Sequence, residues 1–233
     1  MIITRKVKLN CSREQEIGLE RTSSLFRDLF NFLCLKAWDI KNISRYKLHY
    51  GAYKEAREKF PELPAQYVVT CIAKASASVN SAKTKQRQRN VENKKREKSG
   101  RRKLKDVSCP QMLVPRILVL DLRLIVLKED TARITTTAGR STYTLQMYPY
   151  IQDIWQYRHT GCEIKKYGNT WYVCMCFDIP EGKITKGTIL GVDRGINNIA
   201  VCSNNRFFNS KKLKKTKGKY QYNRSVLQSK GTK

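Results

Sequence analysis

Asp193 is the residue whose setting most suggests chemistry. It lies in Ile189-Leu190-Gly191-Val192-Asp193-Arg194-Gly195-Ile196-Asn197-Asn198-Ile199-Ala200-Val201-Cys202, which reads as an apolar strand carrying an acid, a glycine-containing turn and a second strand. An ionised carboxylate is costly to bury in such a strand unless it is paired or holds a cation. Basic residues flank both strands, so one chemistry for Asp193 is to hold Mg²⁺ beside phosphate groups. Nuclease sites are built this way, with cations clamping the attacking and leaving oxygens. The other reading is structural: Asp193 accepts hydrogen bonds from the following turn, where Gly195 and Asn197 can reverse the chain.

The charge of the whole chain favours phosphate as a neighbour. Its 233 residues hold 47 Lys+Arg against 19 Asp+Glu, a formal net charge of +28. Such an imbalance is usually offset by nucleic acid, an anionic membrane surface being the other option. Hydrophobic residues make up 40%, enough for packed cores, which excludes a disordered basic tail from end to end. No apolar run approaches the ~20 residues of a membrane span, and the opening residues 1–8 lack a signal-peptide core. The expectation is a cytoplasmic protein with nucleic acid as partner, no membrane association and no small-molecule substrate.

The basic residues are not spread evenly. Residues 81–105 hold 12 of them against Glu92 and Glu97, and residues 205–233 hold 10 with no acid. Lys83, Lys85, Arg87, Arg89, Arg101 and Arg102 form one candidate phosphate-facing set, and Lys211, Lys212, Lys214 and Lys215 the other. The first run also reads as a solvated, frayed helix end, or as an arm disordered until nucleic acid neutralises it. Eight cysteines are present and none forms a C-x-x-C pair. A zinc ribbon needs two such pairs, so the reading is reduced, half-buried thiols and no zinc site.

The positioning elements follow from periodicity. Residues 2–9 alternate as a strand, with Ile3, Val7 and Leu9 on one side. Ser12-Arg13-Glu14-Gln15 can form a capping box for one long amphipathic helix, or for two broken near 20–23. Pro61 and Pro64 interrupt the helical region, and Pro64 suits a first helical position. Val68, Ile72, Ala75, Val79 and Ala82 then form one stripe. From about Arg116 the period returns to two, giving strands over 117–120, 122–127, 133–137 and 142–147, with a turn at Ala138-Gly139-Arg140. A hairpin turns at Tyr167-Gly168-Asn169-Thr170 and returns with Trp171, Val173, Met175, Phe177 and Ile179 on one face. Short strands joined by tight turns predict a small barrel that also takes the strand at 2–9. Residues 181–187 read as a linker, and Asn204-Asn205 as a tight turn into Arg206-Phe207-Phe208.

Gly191-Val192-Asp193-Arg194-Gly195-Ile196-Asn197-Asn198-Ile199-Ala200-Val201 resembles the first nuclease motif of the TnpB/OrfB proteins, a family similar to the type V CRISPR effectors. Ser203-Asn204-Asn205-Arg206-Phe207-Phe208 resembles the same family. So does Gln221-Tyr222-Asn223-Arg224 followed by Leu227-Gln228-Ser229-Lys230-Gly231-Thr232. Looser matches sit in family order: the opening strand with Glu14-Gln15, Leu63-Pro64-Ala65-Gln66 before a helix, and Trp171-Tyr172-Val173. The resemblance covers the whole chain, strongly over residues 189–232.

That resemblance implies an α+β chain. A wedge-like β-barrel (1–10 and 105–184) would carry an inserted helical recognition domain (11–104). The first strands of an RNase H-like (RuvC) domain would follow over 185–233. It implies a transposon-encoded protein with guide-type RNA and DNA as partners, pairing delegating sequence choice to the RNA. Gln66 would then contact adenine in a major groove while Lys74 holds the backbone, although a helix cap or solvent-facing side chain is the plainer role for Gln66. The family's site joins an aspartate to a later glutamate and aspartate with Mg²⁺, and only Asp193 matches. The expectation is a C-terminally truncated relative that binds nucleic acid and holds Mg²⁺ weakly or not at all. The alternatives are an active nuclease whose missing acids come from another chain or a read-through product, and a structural RNA-binding protein.

Overall fold

The computed structural model describes residues 1–180 and 190–231, so the linker read over 181–187 lies outside the described residues. Strand β1 (Ile2–Asn10) turns Val7 and Leu9 inward and leaves Lys6 to solvent. Ser12 ends the strand and starts helix α1 (Arg13–Trp38). Its Oγ accepts from the Gln15 amide at 3.3 Å, and Gln15 Oε1 accepts from the Ser12 amide at 2.9 Å, the reciprocal cap the spacing predicted. α1 runs without a break over 20–23. Thr22 Oγ1 donates to the Gly18 carbonyl at 2.6 Å, and Thr22 and Ser23 are both buried. Helices α2 (Arg45–Lys59) and α3 (Ala65–Lys98) follow. Pro64 is the cap residue just before α3, not its first helical residue. Its ψ of 139° is extended, while its carbonyl accepts the Tyr67 amide at 2.9 Å.

Seven strands form one antiparallel sheet. They are β1 with β2 (Ile117–Leu120), β3 (Ile125–Leu127), β4 (Thr131–Thr136), β5 (Gly139–Gln146), β6 (Arg158–Tyr167) and β7 (Thr170–Asp178), in the order β2-β6-β7-β1-β5-β4-β3. A short helix α4 (Pro149–Gln152) and a single 3₁₀ turn (Trp155–Tyr157) link β5 to β6. β1 lies in the middle, with Val7 opposite Val173 on β7 and Leu9 opposite Leu145 on β5. The three helices are therefore inserted between β1 and β2, two strands of one sheet that are separated in it by β6 and β7.

The two edge strands of that sheet, β2 and β3, are consecutive in the chain with only residues 121–124 between them. So short a connection requires the sheet to curl until its edges approach, which gives a nearly closed barrel. The sequence pattern placed a strand over all of 122–127, but Asp121 breaks it. Its Oδ1 accepts from the Arg123 amide at 3.0 Å, and its carbonyl accepts from Leu124 and Ile125 at 3.0 Å each. This is an Asx turn, the side chain standing in for backbone. Another small shift affects β4–β5, whose loop is Thr137-Ala138 with Gly139 (φ 104°) opening β5. Thr22 of α1 decides it by accepting from the Thr137 amide at 3.0 Å. The β6–β7 turn sits where the sequence placed it, with Gly168 at φ 57°, a conformation that side chains with a Cβ rarely adopt.

Trp171, Val173, Met175 and Phe177 face the barrel interior with Leu118, Ile134, Tyr143 and Ile164, all at most 1% exposed. The same core continues into Phe26, Leu29, Leu33 and Ile72 of the helices. Tyr67 stands at the junction: its ring meets Phe26 edge-on at 6.1 Å and its hydroxyl donates to the Thr135 carbonyl at 2.7 Å. Helices and barrel thus share one compact unit, Met1–Glu181. The buried thiols fit this core. Burial pushes Cys34 and Cys162 up to about 12, so both stay protonated at neutral pH.

The second unit, Gly182–Lys233, holds β8 (Val192–Asp193), β9 (Asn198–Cys202) and β10 (Phe207–Asn209) in an antiparallel sheet of order β10-β9-β8. Asn205 (φ 59°) makes the expected turn into Phe207-Phe208. Residues 211–229, read from the sequence only as a basic tail, form helix α5 (Lys211–Ser229). Ser210 Oγ anchors its start by donating to the Ile196 and Asn197 carbonyls at 2.7 and 2.8 Å. Among the described residues no helix is long and apolar enough to cross a membrane.

Replacing Asp121 tests the barrel closure. Asp121→Ala should cost about 1–2 kcal/mol of stability, because the Arg123 amide and the neighbouring Gln66 amide both lose an acceptor. Asp121→Asn, which keeps the turn, should recover most of it. Thermal unfolding of the three proteins measures the difference; equal midpoints would mean that the seam closes without this side chain.

Candidate nucleic-acid interface

The apolar stripe of α3 ends near Val79, yet the helix continues to Lys98. The chain then reverses at Ser99-Gly100 (φ 65° at Gly100) and returns along α3 as an extended strap. Side-chain amides hold the strap. Asn93 Oδ1 accepts from the Leu104 amide at 2.7 Å while its Nδ2 donates to the Leu104 carbonyl at 3.1 Å. Gln86 Oε1 accepts from the Val107 amide at 2.6 Å and its Nε2 donates to Asp106 at 2.7 Å. Asn31 of α1 does the same for Met112, at 2.7 and 3.1 Å. An amide side chain offers a donor and an acceptor side by side, so it can pair with a passing backbone as a strand would. The run at 81–105 is therefore an ordered helix with a pinned return segment.

Gln86 and Asn93 are seven residues apart and share one face of α3. At 3.6 residues per turn, Arg87, Lys94 and Lys98 fall in a row along one flank of α3, about a quarter to a third of a turn from that face. All three are exposed and have no acidic partner among the described residues. The two acids of the run are engaged locally, Glu92 with Arg96 at 3.3 Å and Glu97 with Lys103 at 2.9 Å. Of the residues singled out from the sequence, Lys85, Arg87, Arg101 and Arg102 are exposed. Lys83 and Arg89 have structural roles. Lys83 Nζ donates to the Ile40 carbonyl at 2.8 Å and lies 5.8 Å from the Trp38 ring centroid, closing the C-terminal end of α1. Arg89 Nη1 donates to the Lys105 carbonyl at 2.5 Å on the strap. Lys94 and Lys98 were not singled out from the sequence; they fall in line with Arg87 because they follow it by seven and eleven residues on one helix.

Gln66 and Lys74 are also taken up within the fold. Gln66 Nε2 donates to the Asp121 carboxylate and its Oε1 accepts from Arg123 Nη1 at 2.9 Å, so both ends of the amide are committed to the barrel seam. Lys74 pairs with Glu163 of β6 at 2.9 Å, and Lys165 reaches the same carboxylate at 2.6 Å. Burial pushes the Glu163 carboxyl up, but hydrogen bonds and charge from Lys165 and Lys74 outweigh it and hold the group below its ordinary range.

In the second unit, Asp193 lies on a two-residue edge strand and is exposed, so the burial cost assumed from its apolar surroundings does not arise. It stands opposite Val201, which stands opposite Phe207, so the three share one face of the small sheet. The following turn is closed by backbone, the Gly195 amide donating to the Asn198 carbonyl at 3.0 Å. Among the described residues no group of three His, Cys, Asp or Glu side chains comes together. Asp193 by itself would leave most of a Mg²⁺ coordination shell to water. On α5, Lys211, Lys212, Lys215 and Lys219 are exposed and share one broad face, while Lys214 Nζ donates to Asn197 Oδ1 at 2.6 Å.

Two outcomes follow for the first unit. Removing both clamps with Gln86→Ala and Asn93→Ala should release the strap, and limited trypsin digestion should then cut at Arg101–Lys105 several times faster than in wild type. Glu163, with its folded value depressed, contributes stability that is complete above the ordinary value of 4.5 and disappears as pH falls through the lower folded value. Glu163→Gln should flatten that acid-side loss, measured by urea unfolding across about pH 3 to 6. The chain matches no protein-family model and no curated protein by sequence similarity.

Proposed function

We propose that this chain is a nucleic-acid-binding protein of the TnpB/OrfB type, encoded by a transposable element, that holds a structured guide-type RNA and works on DNA through it. The observation that carries the reading is the row Arg87, Lys94 and Lys98 on an ordered helix whose acids are already engaged. At 1.5 Å per residue these charges are spaced roughly 10 and 6 Å along the helix axis, a ladder suited to a phosphate backbone. Because the strap orders the arm beforehand, binding loses less conformational entropy than folding a loose tail would. The lysines of α5 give a second basic face.

Asp193 offers a single exposed carboxylate. The reading is therefore binding without cleavage by this chain alone, and the alternative is a nuclease whose other acids come from a second chain. Mg²⁺- or Mn²⁺-dependent cutting of target DNA, lost in Asp193→Ala, would establish that alternative. Otherwise Asp193→Ala should change stability by less than about 0.5 kcal/mol, as expected for an exposed edge residue.

Binding itself is tested by a salt titration with structured RNA. Affinity should fall steeply from low to physiological salt, and Arg87→Gln/Lys94→Gln/Lys98→Gln should lower the slope of log K against log salt by about 2 to 3. A flat titration for the wild type would remove nucleic acid as the partner.

A further inference from the structure

A groove of about 950 Å³ opens on the outer face of the barrel, over β1, β6 and β7 and beside α4. Four tyrosines line it. Tyr148 and Tyr150 flank Pro149, and their rings lie nearly parallel, 15° apart with centroids at 5.8 Å. Pro149 begins α4 with a fixed φ, so this pair is arranged in advance. Tyr167 and Tyr172 meet edge-on at 5.7 Å, and Lys6 Nζ lies 5.1 and 5.4 Å from their ring centroids. Strand register explains the grouping: Tyr172 stands opposite Lys8 on β1 and Lys165 on β6, all on the face away from the core.

Neither packing nor ion pairing accounts for this cluster. Tyr148, Tyr150 and Tyr167 are 38%, 49% and 50% exposed. Lys165 is held by Glu163, whereas Lys6 has no acidic partner among the described residues. Exposed aromatic rings beside an uncompensated cation match a chain of alternating flat bases and phosphates, because every base has a face that can stack and every linkage carries a charge. An acidic peptide would satisfy Lys6 but would leave the parallel rings unused.

We propose that this groove binds unpaired nucleotides of the RNA, with bases stacked on Tyr148 and Tyr150 and a phosphate beside Lys6. The proposal rests on the nucleic-acid reading above and adds a single-strand site separate from the charged face of α3. Tyrosine suits the role, since it offers a wide flat surface with little side-chain entropy to lose.

The test uses the full chain and fluorescence anisotropy with a labelled single-stranded RNA of about twelve nucleotides and an RNA duplex of similar length. Tyr148→Ala/Tyr150→Ala should weaken single-strand binding roughly ten- to hundredfold and leave duplex binding unchanged. Tyr148→Phe/Tyr150→Phe, which keeps the rings, should retain wild-type affinity. The loss should persist at high salt, where phosphate contacts fade. Because these side chains are exposed, the variants should melt with the wild type. Undiminished single-strand binding by the alanine variant, an equal loss for the duplex, or displacement by polyglutamate as readily as by RNA would overturn the groove proposal. Wild-type protein that binds neither RNA would instead overturn the nucleic-acid reading itself.

Discussion

Closure of the barrel across the Asp121 turn is the constraint on which the first unit depends. β2 and β3 lie at opposite edges of the sheet but are joined by residues 121–124. An open seven-stranded sheet would expose two unpaired edges and an apolar face. Curling brings the edges together, and the Asx turn sets where the chain changes from one to the other. α3 then rests its first turn on the seam through Gln66, and α1 reaches the same side of the barrel through Thr22 and Thr137. The helical insertion is thereby part of the barrel's packing, with Tyr67 buried at the centre of the junction.

From that anchored base α3 extends beyond its own apolar stripe. A helix so rich in like charge is weakly stabilised by its sequence alone. The strap compensates by bringing backbone groups within reach of Gln86 and Asn93, and Asn31 continues the contact toward β2. The same arrangement gives the arm two distinct faces, one occupied by the strap and one left to basic side chains. Local ion pairs to Glu92 and Glu97 remove the acids that would otherwise offset those charges.

The second unit has a different character. Its three strands are short, and Ile196, Phe207 and Phe208 remain 84%, 63% and 53% exposed. Ser210 and Asn197 fasten α5 to the β8–β9 turn by hydrogen bonds, with little apolar burial behind them. Asp193 lies on this small sheet as an exposed edge residue, and its chemistry would depend on groups brought to it from elsewhere.

Local signals carried much of this protein. Alternation in residues 2–9 and 171–179, the Ser12–Gln15 cap and the Gly168 turn all act within a few residues, so their consequences are written in adjacent side chains. Net charge is likewise a property of composition and needs no fold to be read. Tertiary structure decided which polar groups remain available. Gln66, Lys74 and Lys83 look free in the sequence, but each meets a partner from a distant segment: Asp121, Glu163 and the end of α1. The strap, the Arg87–Lys94–Lys98 face and the tyrosine groove arise in the same way, from strand register and chain reversal. Hydrogen bonds and ring contacts form between surfaces that folding brings together, and no local period in the chain records which surfaces those will be.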